Sequence, residues 1–157
     1  MTRPATSAAR IRALSQRECI ALLSRHHVGR LAFAFHDRVD IQPLHYVYEA
    51  GWLYGRTSEG AKLDTLAHHH WVAFEVDEVR GLVDWTSVVV HGSFHRLDAD
   101  AGVQPSAIHA AALLRSLLPE TLTTDDPVPF RTVLFRIAVG EMTGRIAEPA
   151  HPTTRHP

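Results

Sequence analysis

The sequence predicts a mainly β protein with peripheral helices, its strands closed into an antiparallel barrel. Six β-rich or alternating runs recur along the chain. Most are joined by turn signals short enough for hairpins. The few helix-period segments do not alternate with strands in the way a doubly wound sheet requires.

Each element follows from local chemistry. Residues 1–13 are polar, rich in Ala, Thr and Arg, and aperiodic, which predicts a disordered arm. "LSQRECIALLSRHH" then starts a helix. Ser15 is the N-cap, Glu18 completes a capping box, and Leu14 and Cys19 stand at the staple positions. Ile20, Leu22 and Leu23 supply its expected buried stripe. The period next changes to two. "VGRLAFAFH" and "VDIQPLHYVYE" form a hairpin about Asp37–Arg38, and Ala50–Gly51 turns the chain into "WLYGRTS". A short helix is expected from Glu59 to about His69. "WVAFEVDEV" places Val72, Phe74 and Val76 on one face of a strand. "DWTSVVVHGSFHRLD" is a long strand with a bulge or corner expected at Gly92. A helix entered through Pro105 and ended near Pro119 follows, then a loop, then a last strand in "RTVLFRIAVGEMTGR". The Pro-rich residues 147–157 are expected to be a disordered tail, which leaves 14–146 as one domain.

Composition narrows the function. With 157 residues, 45% hydrophobic, 21% charged and a net charge of −1, the chain suits one globular domain and offers no basic excess for nucleic acid. Its apolar runs are too short for a membrane helix, and its N-terminal residues lack the apolar core of a secretory signal. One cysteine, Cys19, allows no internal disulfide and suits a cytoplasmic location.

"RTSEGAK" carries the strongest chemistry. A strand ends in Arg56-Thr57-Ser58 and a helix begins near Gly60, so backbone N–H groups, two hydroxyls, a guanidinium and the Lys62 ammonium are expected to converge. A phosphate monoester is the natural guest. The competing reading makes Ser58 a plain helix cap with Arg56 and Lys62 solvated. The spacing is not that of a Walker loop. "HHH", His68–His70, is read as a helix end, because adjacent helical side chains point about 100° apart and cannot converge on one metal.

In order, "VGRLAF", "PLHYVY", "LYGRTSEGAKLDTL", "VAFEVDEV" and "DWTSVVVHGSF" resemble the pyridoxamine 5'-phosphate oxidase-like, FMN-binding split-barrel proteins, above all their short actinobacterial members. The likeness covers about Leu14 to Arg145. It implies a six-stranded split barrel and a homodimer with FMN at the subunit interface. Arg56, Thr57, Ser58 and Lys62 match the phosphate cradle. Pro43, Leu44, His45 and Tyr46 match the strand whose backbone edges the isoalloxazine ring. Trp85, Thr86, Ser87 and Val88 match a segment flanking the flavin, although Asp84 replaces a frequent glycine and leaves two registers, one residue apart. The resemblance implies a flavin-dependent oxidoreductase acting on a small organic substrate, with NADH, NADPH or a partner protein as reductant. No residue is assigned as catalytic. Deazaflavin in place of FMN, haem bound through His45, His91 or His95, and a non-catalytic flavin-binding module are the alternatives.

Overall fold

The computed structural model describes residues 9–97 and 105–150. Its strands are β1 (Arg10–Ala13), β2 (Val28–Phe35), β3 (Arg38–Glu49), β4 (Trp52–Thr57), β5 (Trp71–Gly81), β6 (Asp84–Leu97) and β7 (Val133–Glu148). Its helices are α1 (Gln16–Arg25), α2 (Ala61–His68) and α3 (Pro105–Leu117). The sheet runs β1-β7-β4-β3-β2-β5-β6, and β6 pairs again with β7, so six strands close a ring with β1 added outside it. All the pairings are antiparallel. The expected antiparallel six-strand barrel and its three helices are therefore present among the described residues.

Alternation fills the ring. Leu31, Phe74, Val76, Val88, Val90 and Phe135 point inward and are buried. α1 covers one end of this core. Its capping box forms as expected, with Ser15 Oγ accepting from Glu18 N and Ser15 N donating to the Glu18 carboxylate at 2.8 Å. The buried stripe is Cys19, Leu22 and Leu23, one helical face at i, i+3 and i+4. Ile20, expected in that stripe, lies about 100° from Cys19 and is 37% exposed. A second, smaller core lies outside the ring, where Ala107, Ala110, Ala111 and Leu114 of α3 cover Tyr54, Leu97 and Leu134.

Three sequence boundaries move. Arg10–Ala13, placed in the disordered arm, pair with Arg145–Glu148 as β1, and Arg12 holds Glu18 through two hydrogen bonds of 2.9 and 3.2 Å. The short polar strand has no pattern of its own; it is selected by the edge of β7. For the same reason β7 runs through Ala147 and Glu148, which were placed in the tail. The remaining parts of the expected arm and tail, 1–8 and 151–157, lie outside the described residues. The first hairpin turns at His36–Asp37 rather than Asp37–Arg38, with His36 at φ 51°.

The irregularity at Gly92 is real and two-sided. The β6–β7 register shifts between His91 and Gly92, leaving Gly140 as the extra residue on β7. A Cβ on Gly92 would lie 2.1 Å from the Ala138 carbonyl oxygen, so only glycine allows this approach.

Candidate functional site

β3 has a partial free edge. Residues 38–45 pair with β2 on one side, whereas the pairing with β4 starts only at Tyr46. Pro43, which has no N–H to give a ladder, sits in this one-sided stretch. α2 stands beside it. An open cleft of about 720 Å³ is lined by Phe33, Arg38 and Asp40 of the first hairpin and by Ala61, Lys62 and Thr65 of α2.

Lys62 is the centre of the polar end. Its Nζ donates to Thr57 Oγ1 at 2.5 Å and to the side-chain oxygen of Gln42. Both partners are neutral. Burial, and then the nearby positive charge of Arg131, push the Lys62 ammonium down to about 8. Arg131 also places a terminal nitrogen 3.5 Å from the Pro43 carbonyl oxygen. The Lys62 ammonium thus feels a second positive charge and has no carboxylate bonded to it. Ser58 follows Thr57 on the link to α2 and is half-buried. Gly60 caps α2 at φ 142°, a conformation that favours glycine, and no side chain caps the helix. The expected competing role of Ser58 as the helix cap is therefore not used. The helix start leaves a positive dipole end beside Lys62.

Arg56 does not join this cluster. Residues 56 and 57 are neighbours on a strand and must face opposite sides. Thr57 faces Lys62, while Arg56 faces outward under the segment after α3. There both of its terminal nitrogens bind Asp126, Nη2 at 2.9 Å from Oδ1, and Nη1 also donates to the Arg131 carbonyl at 3.3 Å. Arg56 is 5% exposed. Its guanidinium holds the Asp126 carboxyl far below the usual carboxylate range, helped by N–H donors from Val128 and Leu122. The arginine expected in the anion cradle is a structural ion pair. Near Lys62 the structure brings instead Gln42 and the charge of Arg131, neither of which the sequence singled out. Neither had a local signal: the fold brings both in from distant segments.

The segment Pro43–Tyr46 splits by face. Leu44 and Tyr46 point into the core, and the Tyr46 hydroxyl donates to the Leu23 carbonyl at 2.7 Å. Pro43 and His45 are exposed on the opposite face. Trp85–Val88 also alternates, with Thr86 and Val88 buried and Trp85 and Ser87 half-buried on the outer face. This segment opens β6, whereas the far end of β6 is level with Thr57, since Leu97 pairs with Leu134 and Thr57 with Val133. Along β6 the segment is about 30–40 Å of strand from that end; round the other side of the ring, β5 and β2 stand between it and β3.

The remaining candidates are engaged locally. Trp52 lies under the Arg136 guanidinium, 3.8 Å from ring centre to Cζ. His95 Nε2 is 2.9 Å from Ser93 Oγ, and burial followed by the charges of Arg136 and His70 lowers its pKa. His68 Nδ1 is 2.9 Å from the Asp64 carbonyl within α2. No described helix is long and apolar enough to cross a membrane.

The family model of pyridoxamine 5'-phosphate oxidase matches residues 15–146. An uncharacterised protein of Rhizobium meliloti is 30% identical over 147 residues, spanning 87% of this chain and 95% of that one. A crystal structure described as an FAD-binding protein of Mesorhizobium loti is similar, with 31% identity, a TM-score of 0.72, and coverage of 88% of this chain and 99% of that one. An FAD-binding protein of Mycobacterium smegmatis shares the fold at 24% identity and a TM-score of 0.60, over 86% of this chain and 99% of that one. With a matching family model over most of its length and a ring of six antiparallel strands, this chain belongs to the pyridoxamine 5'-phosphate oxidase-like split-barrel family.

Proposed function

We propose that the protein binds FMN and acts as a flavin-dependent oxidoreductase, with the flavin phosphate on Lys62, Arg131, Thr57, Ser58 and the start of α2. One observation carries the reading: the half-buried Lys62 ammonium bonds two neutral side chains, with the positive charge of Arg131 also acting on it. A phosphate dianion removes that repulsion and gains charge-assisted hydrogen bonds of roughly 1.5–3 kcal/mol each. FMN and FAD share the phosphate that follows the ribityl chain, and the similar Mesorhizobium loti protein is described as FAD-binding, so this cradle serves either nucleotide.

The exposed face of β3, Pro43 and His45, leads away from the phosphate and offers an edge for the flavin ring. The flavin supplies hydride and electron transfer; the chain supplies binding, orientation and shielding. The reading includes a homodimer with the flavin between subunits, in which Trp85–Val88 of a second copy flanks the ring. The outer face of the barrel is suited to this, since Val39, Ile41 and Trp71 are 72%, 68% and 69% exposed.

The test begins with the absorption spectrum of the purified protein, where flavin maxima are expected and a Soret band would establish haem instead. FMN is then titrated beside riboflavin. Riboflavin, which lacks the phosphate, should bind at least about tenfold more weakly; equal affinities would overturn the cradle. Consumption of NADH or NADPH with nitro, quinone and free-flavin acceptors tests catalysis. A flavin-loaded protein inert to all of them would be a carrier.

A further inference from the structure

A second, more enclosed cavity lies on the other side of the strand that carries Pro43. It measures about 440 Å³, a size that suits a small organic molecule. Leu114, Leu117 and Leu118 of α3 and its exit line it with apolar surface, and His27 and His45 also border it. Arg56 forms part of the lining, with its charge met by Asp126. Asp126 in turn accepts N–H bonds from Leu122 and Val128 at 2.7 and 2.9 Å, which fix the covering segment. The cavity is therefore built rather than incidental to a loose loop.

Its chemistry differs from that of the Lys62 cleft. The buried Arg56–Asp126 pair is neutral overall, so the lining attracts neither an anion nor a cation strongly. His27 Nδ1 is 3.3 Å from the Tyr46 carbonyl oxygen. A carbonyl only accepts, so Nδ1 is the donor, and the tautomer that carries its proton there presents Nε2 as an acceptor. The lining offers a leucine surface, imidazole side chains, and an arginine whose charge is met by Asp126. Along β3, His45 is three residues, or roughly 10 Å of strand, from Gln42, the partner of Lys62, and faces the opposite side, so a molecule bound along the free edge of β3 can reach both.

We propose that this cavity is the substrate pocket beside the flavin, taking a small, neutral, largely apolar molecule with one hydroxyl or N–H group that donates to His27 Nε2. Its place beside the flavin rests on the FMN reading above; its ligand chemistry does not. The probe is 2-naphthol, with 2-naphthoate as the charged counterpart of similar size. Titrated into the full-length protein and followed by naphthol fluorescence, 2-naphthol should bind saturably and 2-naphthoate at least about tenfold more weakly. His27→Phe should weaken 2-naphthol about tenfold, and Leu117→Trp, which fills the cavity from a half-buried position, should abolish saturable binding. Absence of saturable 2-naphthol binding, or equal affinity for the naphthoate anion, overturns the proposal in the wild-type protein alone, without reliance on variants that fold poorly. In FMN-loaded protein, saturation with 2-naphthol should shift the visible flavin band, and an unshifted band overturns the placement beside the flavin. Failure of the FMN reading appears separately, as loss of flavin in the spectrum and in the FMN titration, while the naphthol titration still judges the cavity.

Discussion

Arg56 and Lys62 are two cations six positions apart, and the barrel uses them in opposite ways. Arg56 is buried against a carboxylate that is itself fixed by two backbone N–H groups. Lys62 is half-buried against an alcohol and an amide, with Arg131 close enough to depress its pKa. One charge is neutralised by a carboxylate of the chain; the other is bonded to neutral groups. The difference teaches that a basic residue in a motif is not a binding residue by virtue of type. The partner that neutralises it decides.

The largest expected effect breaks the comparison on the Arg56 side. Arg56→Ala leaves the Asp126 carboxylate without its partner in a buried site, and such a loss costs about 3–5 kcal/mol. A urea melt should show that loss, while FMN affinity of the folded protein stays within about twofold of wild type, a change under 0.5 kcal/mol. A tenfold loss of FMN affinity with an unchanged melt would move Arg56 back into the cradle.

Lys62→Ala should do the reverse. FMN binding weakens by about 1–3 kcal/mol, and the urea midpoint is kept or raised, because a half-desolvated ammonium has been removed. Arg131→Ala should weaken FMN by a smaller amount, about 1 kcal/mol, and raise the Lys62 pKa toward its ordinary value. Calorimetric titration of FMN across pH reads both consequences.

The pH profile is the finest comparison. Lys62 has a folded pKa of about 8, below its ordinary 10.5, so between these values the unfolded chain holds the proton more fully than the folded one. This group therefore makes unliganded stability rise as pH goes from about 8 to 10.5. FMN affinity moves the other way, falling as pH rises past about 8 and the ammonium loses its proton. Asp126 gives the opposite flank. Its carboxyl is held down by Arg56, so its contribution to stability is present above its ordinary pKa and is lost as pH falls below about 4. Bound FMN should abolish the alkaline rise in stability and leave the acid loss in place.

Much of the barrel was legible because alternation is a local property. "VGRLAFAF" and "VAFEVDEV" carry their inward and outward faces in the residues themselves, and Ser15 with Glu18 marks the α1 start within four positions. The site was legible only in part. Thr57 and Lys62 could be paired from a strand end and a helix start. Arg56 could not be assigned, since its partner Asp126 lies 70 positions away in a loop without periodicity. Arg131 and Gln42 were invisible for the same reason. β1 was missed because a four-residue polar strand acquires its identity from the edge it joins.

The role of β7 reaches back to how the molecule is made. This 16-residue strand pairs with β1, β4 and β6, so it alone joins the earliest described strand to both sides of the ring. Until residues 133–148 leave the ribosome, three strand edges have no partner. The barrel therefore closes only once β7 has been made, and until then those edges are open to pairing with a neighbour's.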